Sequence, residues 1–167
     1  MEQQYVSYIR EQLHAVLGID SPSGCTEEVQ QYLCDTLRAM GYAPRRLVKG
    51  GVHVTLGGEG EPLTLLAHAD TLGAVVQYIK PNGRLAISNM TLNVHNAEAE
   101  NVKVITRFNG AYEGTLQLCN ASVHVNPDPN QARDLNKNME IVLDYDVKTK
   151  EDVEKMGILP GDAIALE

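Results

Sequence analysis

Leu63-Thr64-Leu65-Leu66-Ala67-His68-Ala69-Asp70-Thr71-Leu72-Gly73 decides how this chain is read, because an apolar, strand-like run delivers one histidine and one aspartate to its carboxyl end. Ligand sites of open α/β sheets lie beyond the carboxyl ends of their strands. Residues two apart in an extended segment share a face, so His68 and Asp70 are expected on the same side. A histidine so placed can ligate a metal through one ring nitrogen while the carboxylate holds the ring's tautomer and direction. The same spacing also suits a buried core histidine bonded to Asp70, and taken by itself it favours that plainer role.

Upstream, residues 2–17 put Val6, Ile9, Leu13, Val16 and Leu17 on one helical stripe, with Arg10, Glu11 and His14 around the rest. This predicts an amphipathic helix packed on a neighbour. Gly18 ends it, and Ser21-Pro22-Ser23-Gly24 makes a turn into a second helix. Thr26 is the expected cap, with Glu27 and Glu28 where the macrodipole favours negative charge. Val29, Leu33, Leu37 and Met40 mark the buried stripe, and Gly41 suits a left-handed stop. Residues 52–56 alternate like a half-buried strand, while 63–67 are nearly continuous and suit a strand covered on both faces. Gly57-Gly58-Glu59-Gly60 connects them. Two helices on one face of a small sheet are half of an α/β sandwich, an incomplete layer that depends on further strands.

From Ala74 onward the texture changes to short apolar stretches separated by turns. Strands are expected at 75–79 and 84–87, joined by the hairpin signal Asn82-Gly83. Others follow at 102–106, at 112–118 after Asn109-Gly110, and at 139–145. Residues 126–131 are a polar, proline-broken loop. Residues 148–155 predict a short helix whose Glu151, Asp152 and Glu154 alternate with Lys148, Lys150 and Lys155 for surface pairing. Pro160-Gly161-Asp162 then turns the chain into a last strand at 163–166. Short strands at this spacing predict a small barrel or sandwich.

The 167 residues are 43% hydrophobic, enough for one ordinary domain or two small ones. A formal net charge of −8 argues against nucleic acid or an anionic membrane surface as partner, and Arg45, Arg46 and Lys49 are too few to reverse it. Cys25, Cys34 and Cys119 are odd in number and lack C-x-x-C spacing, as expected of reduced, partly buried thiols in a cytosolic protein. Met1-Glu2-Gln3-Gln4 does not open a secretory signal, and no stretch is long enough to cross a bilayer, so the chain reads as cytoplasmic. No nucleophile elbow, P-loop or dinucleotide fingerprint occurs. His53 is expected on the solvent side of its strand and His14 on a helix surface. His95 and His124, in the β-rich region, are read as structural, with a place on a site rim open to His124.

The ordered series of signatures resembles the glutamyl-aminopeptidase and endoglucanase-M-like family of dinuclear metal aminopeptidases, the group that includes the tetrahedral aminopeptidases. The family's H-x-D-x-x-G at the end of a core strand is matched by His68, Asp70 and Gly73, and its P-S-G after a first helix by Pro22-Ser23-Gly24. Its segment closing an inserted β-rich domain is matched by Glu154-Lys155-Met156-Gly157-Ile158-Leu159-Pro160-Gly161-Asp162. Thr71 stands where many members carry glutamate, which leaves the His68 and Asp70 pair intact.

The resemblance implies the amino-terminal half of an α/β metallopeptidase domain over residues 1–73, followed by a small β-barrel-like inserted dimerisation domain over 74–167. It implies His68 as a metal ligand and Asp70 as the catalytic-site carboxylate that orients it. Two divalent ions, zinc, cobalt or manganese, are implied for the complete enzyme, with none held tightly by this chain alone. The implied reaction is removal of amino-terminal residues from peptides, and the implied assembly a homo-oligomer. The family's bridging aspartate, glutamate base and remaining ligands find no counterpart here, so the 167 residues alone are expected to be inactive. The alternative function is a non-catalytic assembly module, since the β-rich insertion builds subunit contacts in the family.

Overall fold

A computed structural model of the chain describes residues 2–93, 97–126 and 134–167. They form two units, Met1–Thr71 and Leu72–Glu167. His95 and residues 127–131 of the proline-broken loop lie outside the described residues.

In the first unit, α1 (Glu2–Leu17) and α2 (Glu27–Ala39) follow the expected bounds. The Tyr32 hydroxyl of α2 donates to Gln12 Oε1 of α1 at 2.9 Å. Helix α2 buries Val29, Gln30 and Cys34, while Leu33 and Leu37 are half-buried and Met40 is exposed, so the buried stripe is rotated toward Cys34. Thr26 is the N-cap, but its hydroxyl accepts from the Gln30 side chain at 2.7 Å instead of a backbone N–H. Gly41 stops the helix at φ +89°, a conformation costly for any residue with a Cβ.

Two expectations for this unit need correction. The strand at 52–56 shrinks to β2 (Val52–His53), because its partner, β1 (Arg45–Arg46), is itself two residues long and had no signal in the sequence. The run at 63–67 is not a strand: Leu63, Leu65 and Leu66 are 86%, 82% and 91% exposed. A strand apolar on both faces requires ladder neighbours and a covering layer on each side. Among the described residues the run is bridged to neither, and the nearest pairing is the parallel bridge Pro22↔Thr71 beyond its end. The apolar stripe of α1 is exposed as well at Val6, Ile9, Leu13 and Leu17.

The second unit is a closed barrel of six antiparallel strands: β3 (Gly73–Ile79), β4 (Leu85–Asn89), β5 (Asn101–Ile105), β6 (Ala111–Leu118), β7 (Met139–Leu143) and β8 (Ala163–Leu166). The order is β3-β4-β7-β6-β5-β8, and β8 closes the ring by pairing with both β3 and β5. Of the barrel and the sandwich that the strand spacing allows, the structure has the barrel. The β3–β4 hairpin turns at Gly83, φ +78°, where an added Cβ would lie 3.2 Å from the Thr149 carbonyl oxygen.

A bulge in β3 between Val76 and Tyr78 shifts the inward phase, so Ala74 and Val76 face the core, then Ile79. The bulge is held by Pro160-Gly161-Asp162: Gly161 N–H donates to the Val76 carbonyl at 2.7 Å, and Val76 N–H to the Asp162 carbonyl at 2.9 Å. Leu85, Ile87, Val102, Val104, Leu116, Ile141 and Ile164 fill the interior. Helix α3 (Lys150–Lys155) contributes Val153 to that core and is capped reciprocally by Thr149 and Asp152. Lys150 pairs with Glu154 and Lys155 with Asp152, the predicted surface pattern.

Glu140 of β7 is buried beneath Lys80 and Arg84, 2.7 Å from the Lys80 ammonium and hydrogen-bonded by the Arg84 guanidinium. Burial opposes its charge, but the two cations outweigh burial and hold the carboxyl below its usual range. A carboxyl with a depressed folded-state pKa stabilises fully above its unfolded value, about 4.3 for Glu, and loses that contribution as pH falls through the folded value. Glu140→Gln is therefore expected to cost about 1–3 kcal/mol near neutrality, with the deficit shrinking in acid; urea unfolding of both proteins across that range measures it. Because the barrel encloses its own core, residues 72–167 made alone are expected to unfold in one cooperative step. In the whole chain, hydrogen exchange should be slow in the barrel strands and fast over 57–67.

Candidate functional site

The segment that follows the exposed run carries the site. His68 Nδ1 lies 3.2 Å from Asp70 Oδ1 and 3.2 Å from the Asp70 carbonyl oxygen. Both neighbours are oxygen acceptors, an arrangement that suits a ring hydrogen on Nδ1. The His68 side chain is 87% exposed. Its partner is Asp70, as the core reading expects, and in this chain the ring is exposed.

Asp70 is a half-exposed carboxylate with both oxygens engaged: Oδ1 takes His68, and Oδ2 accepts from the Ser23 hydroxyl. The Ser23 hydrogen bond, more than the weaker help of the His68 ring, holds the Asp70 carboxyl below its usual range. Ser21 is fully buried; its hydroxyl donates to the Ala69 carbonyl at 3.1 Å, and its own carbonyl accepts from Thr71 N–H at 2.8 Å. The sequence displayed these serines within a turn, but nothing in their spacing revealed bonds to residues nearly fifty positions on.

Within the first unit, the other histidines are not gathered with His68. His53 is exposed and its Nδ1 accepts from Arg45 Nε at 3.2 Å, His14 lies on the exposed surface of α1, and His124 sits in an exposed turn. Cys25, Cys34 and Cys119 are free thiols, the last exposed where partial burial is expected. Among the described residues no group of three or more His, Cys, Asp or Glu side chains could hold a metal ion, and no helix is long and apolar enough to cross a membrane.

The fold of the chain resembles that of solved aminopeptidase structures. The TET aminopeptidase of the marine sediment archaeon Thaumarchaeota archaeon SCGC AB-539-E09 matches it with a TM-score of 0.83 at 20% identity, over 94% of this chain and 44% of that one. The Pyrococcus horikoshii TET1 peptidase, which can assemble into a tetrahedron or a large octahedral shell, matches with a TM-score of 0.78 at 19% identity, over 94% and 46%. Residues 50–167 match the M42 glutamyl aminopeptidase family, and the chain belongs to that family. It is 36% identical over 160 residues to the Bacillus subtilis (strain 168) protein named "Putative aminopeptidase YhfE", covering 94% of this chain and 46% of that protein. The chain thus spans about half the length of the relatives it matches.

Proposed function

We propose that this chain contributes the amino-terminal ligand half of a divalent-metal aminopeptidase that removes residues from the amino termini of peptides. The observation that carries the reading is the commitment of His68 Nδ1 to Asp70, which leaves Nε2 as a lone-pair donor on an exposed ring. Membership of the M42 glutamyl aminopeptidase family supports the reaction class.

The residues present fit one share of a metal site. His68 would hold an ion through Nε2, and Asp70 would fix the ring's direction and raise its basicity. The other ligands would come from residues outside this chain, since a tight zinc site needs three or four and no second cluster exists among the described residues. A pair of divalent ions, zinc, cobalt or manganese, supplies Lewis acidity for peptide-bond hydrolysis when bound. In this reading residues 1–73 belong to the catalytic α/β domain and 74–167 form a dimerisation domain. Assembly into a homo-oligomer is supported by the likeness to a peptidase that builds shells. A cytoplasmic location accords with the free thiols, and the net charge of −8 speaks against nucleic-acid or membrane partners.

A second reading, a purely structural assembly module, is favoured by one contrast: the barrel is closed, whereas the run before His68 has no ladder neighbour among the described residues. Two measurements separate them. Calorimetric titration of the 167-residue chain with zinc is expected to show weak binding that disappears in His68→Ala. On a peptide or amino-acid anilide, the chain alone is expected to be inactive, while a longer polypeptide containing it should turn over. There His68→Ala should abolish turnover and Asp70→Ala reduce it about 10- to 100-fold. Unchanged turnover in His68→Ala would leave only the assembly module standing.

A further inference from the structure

The Ser21-Pro22-Ser23-Gly24 loop has bonds that joining two helices does not require. A turn there needs Gly24, whose φ is +89°, and is helped by proline, but it calls for neither serine. Yet Ser21 is completely buried, and a buried hydroxyl is costly unless bonded. Its two bonds fall on Ala69 and Thr71, the residues on either side of Asp70, and Pro22 bridges Thr71 in the same register. Ser23 then reaches Asp70 itself, donating to Oδ2 and leaving Oδ1 to the imidazole.

We propose that this loop is a positioning device for the His68 ring, with Ser23 as the positioning residue that sets which ring nitrogen is presented to a ligand. The inference rests on His68 acting as a metal ligand only for its consequence, since the geometry itself concerns the tautomer. With Oδ1 on the His68 ring, Oδ2 on the Ser23 hydroxyl and a further bond from its own backbone N–H, the Asp70 carboxylate is held in one plane. That plane aims Oδ1 at Nδ1–H, and Nε2 is left as the acceptor. The pair is open to water, so without Ser23 the carboxylate turns more freely about its Cβ–Cγ bond, water competes for Oδ1, and Nδ1 keeps only the solvent-exposed Asp70 carbonyl as a fixed acceptor. A solvated neutral imidazole favours hydrogen on Nε2, the form whose outward nitrogen cannot bind a metal. Ser21 holds the backbone register, and Ser23 holds the side chain.

The test is nitrogen-15 NMR of the His68 imidazole in the 167-residue chain at about pH 8, above the ordinary histidine range. The unaltered chain is expected to show the Nδ1–H tautomer as the major form; a major Nε2–H form overturns the proposal without any variant being needed. Ser23→Ala is expected to move the population to mainly Nε2–H, with amide shifts of the barrel unchanged, and Ser23→Thr, which keeps the hydroxyl, to restore Nδ1–H. A tautomer ratio unmoved by Ser23→Ala assigns the serine a turn role and overturns the proposal. Zinc added to the same samples reads the metal separately. Zinc on Nε2 with a binding constant weakened about 10-fold in Ser23→Ala supports both readings, the low end of the range for partners behind a ligand. Zinc that leaves Nε2 unperturbed sinks the metal reading while the tautomer result stands.

Discussion

Backbone hydrogen-bond pairing governs what this chain can and cannot complete. Every strand N–H and C=O withdrawn from water needs a partner, and in the barrel the short β8 supplies the last set by pairing with β3 on one side and β5 on the other. Closure removes the edges on which another strand would template itself. The turn before β8 takes part as well, because Gly161 and Asp162 fill the backbone groups of Val76 where the β3 bulge breaks the ladder. The interior follows from closure: with the ring shut, inward positions of all six strands face one another, and medium-sized aliphatic side chains fill the space. Gly114 on β6 shows how tight that packing is, since a Cβ there would stand 2.7 Å from the Val142 carbonyl oxygen.

The same constraint explains the first unit by its absence. Residues 63–67 have the composition of a central parallel strand but, among the described residues, no strand beside them, and the leucines are exposed. A solvated extended segment can satisfy its backbone with water, but it leaves apolar side chains on two sides uncovered, which isolated globular units avoid. The exposed stripe of α1 is the helical form of that incompleteness. Both features leave apolar side chains uncovered among the described residues.

Much of this was legible in the sequence where a local signal sufficed. Asn82-Gly83 dictated the β3–β4 hairpin, the alternation around Val102 and Leu116 gave paired strands, and both long helices follow from apolar spacing and Gly41. What escaped were properties created by partners distant in sequence. Closure by β8 is such a case, since four residues at 163–166 read the same in a sandwich or a barrel. The bulge at Val76 depends on a turn more than eighty residues away, and β1 at Arg45–Arg46 has no apolar pattern at all. The strand at 63–67 was misread for the complementary reason, as composition records the environment a segment is suited to whether or not that environment is present.

The site divides along the same line. His68 and Asp70, two residues apart, could be paired on paper because an extended backbone puts them on one face. The exposure of the ring and the further partners of Asp70 could not be read there. Exposure follows from the unpaired run that precedes His68, and nitrogen occupancy follows from Asp70, whose own orientation reaches back to Ser23. The surroundings of the His68 ring are therefore set in three steps of decreasing locality: the strand-like spacing, the carboxylate two residues on, and a serine turn between two helices. Only the first two could be inferred without knowing which backbone segments meet. The third requires the parallel bridge between Pro22 and Thr71 and the Ser21 hydrogen bonds beside it, which bring a helix-to-helix turn to the flank of Asp70 and make the two motifs one unit.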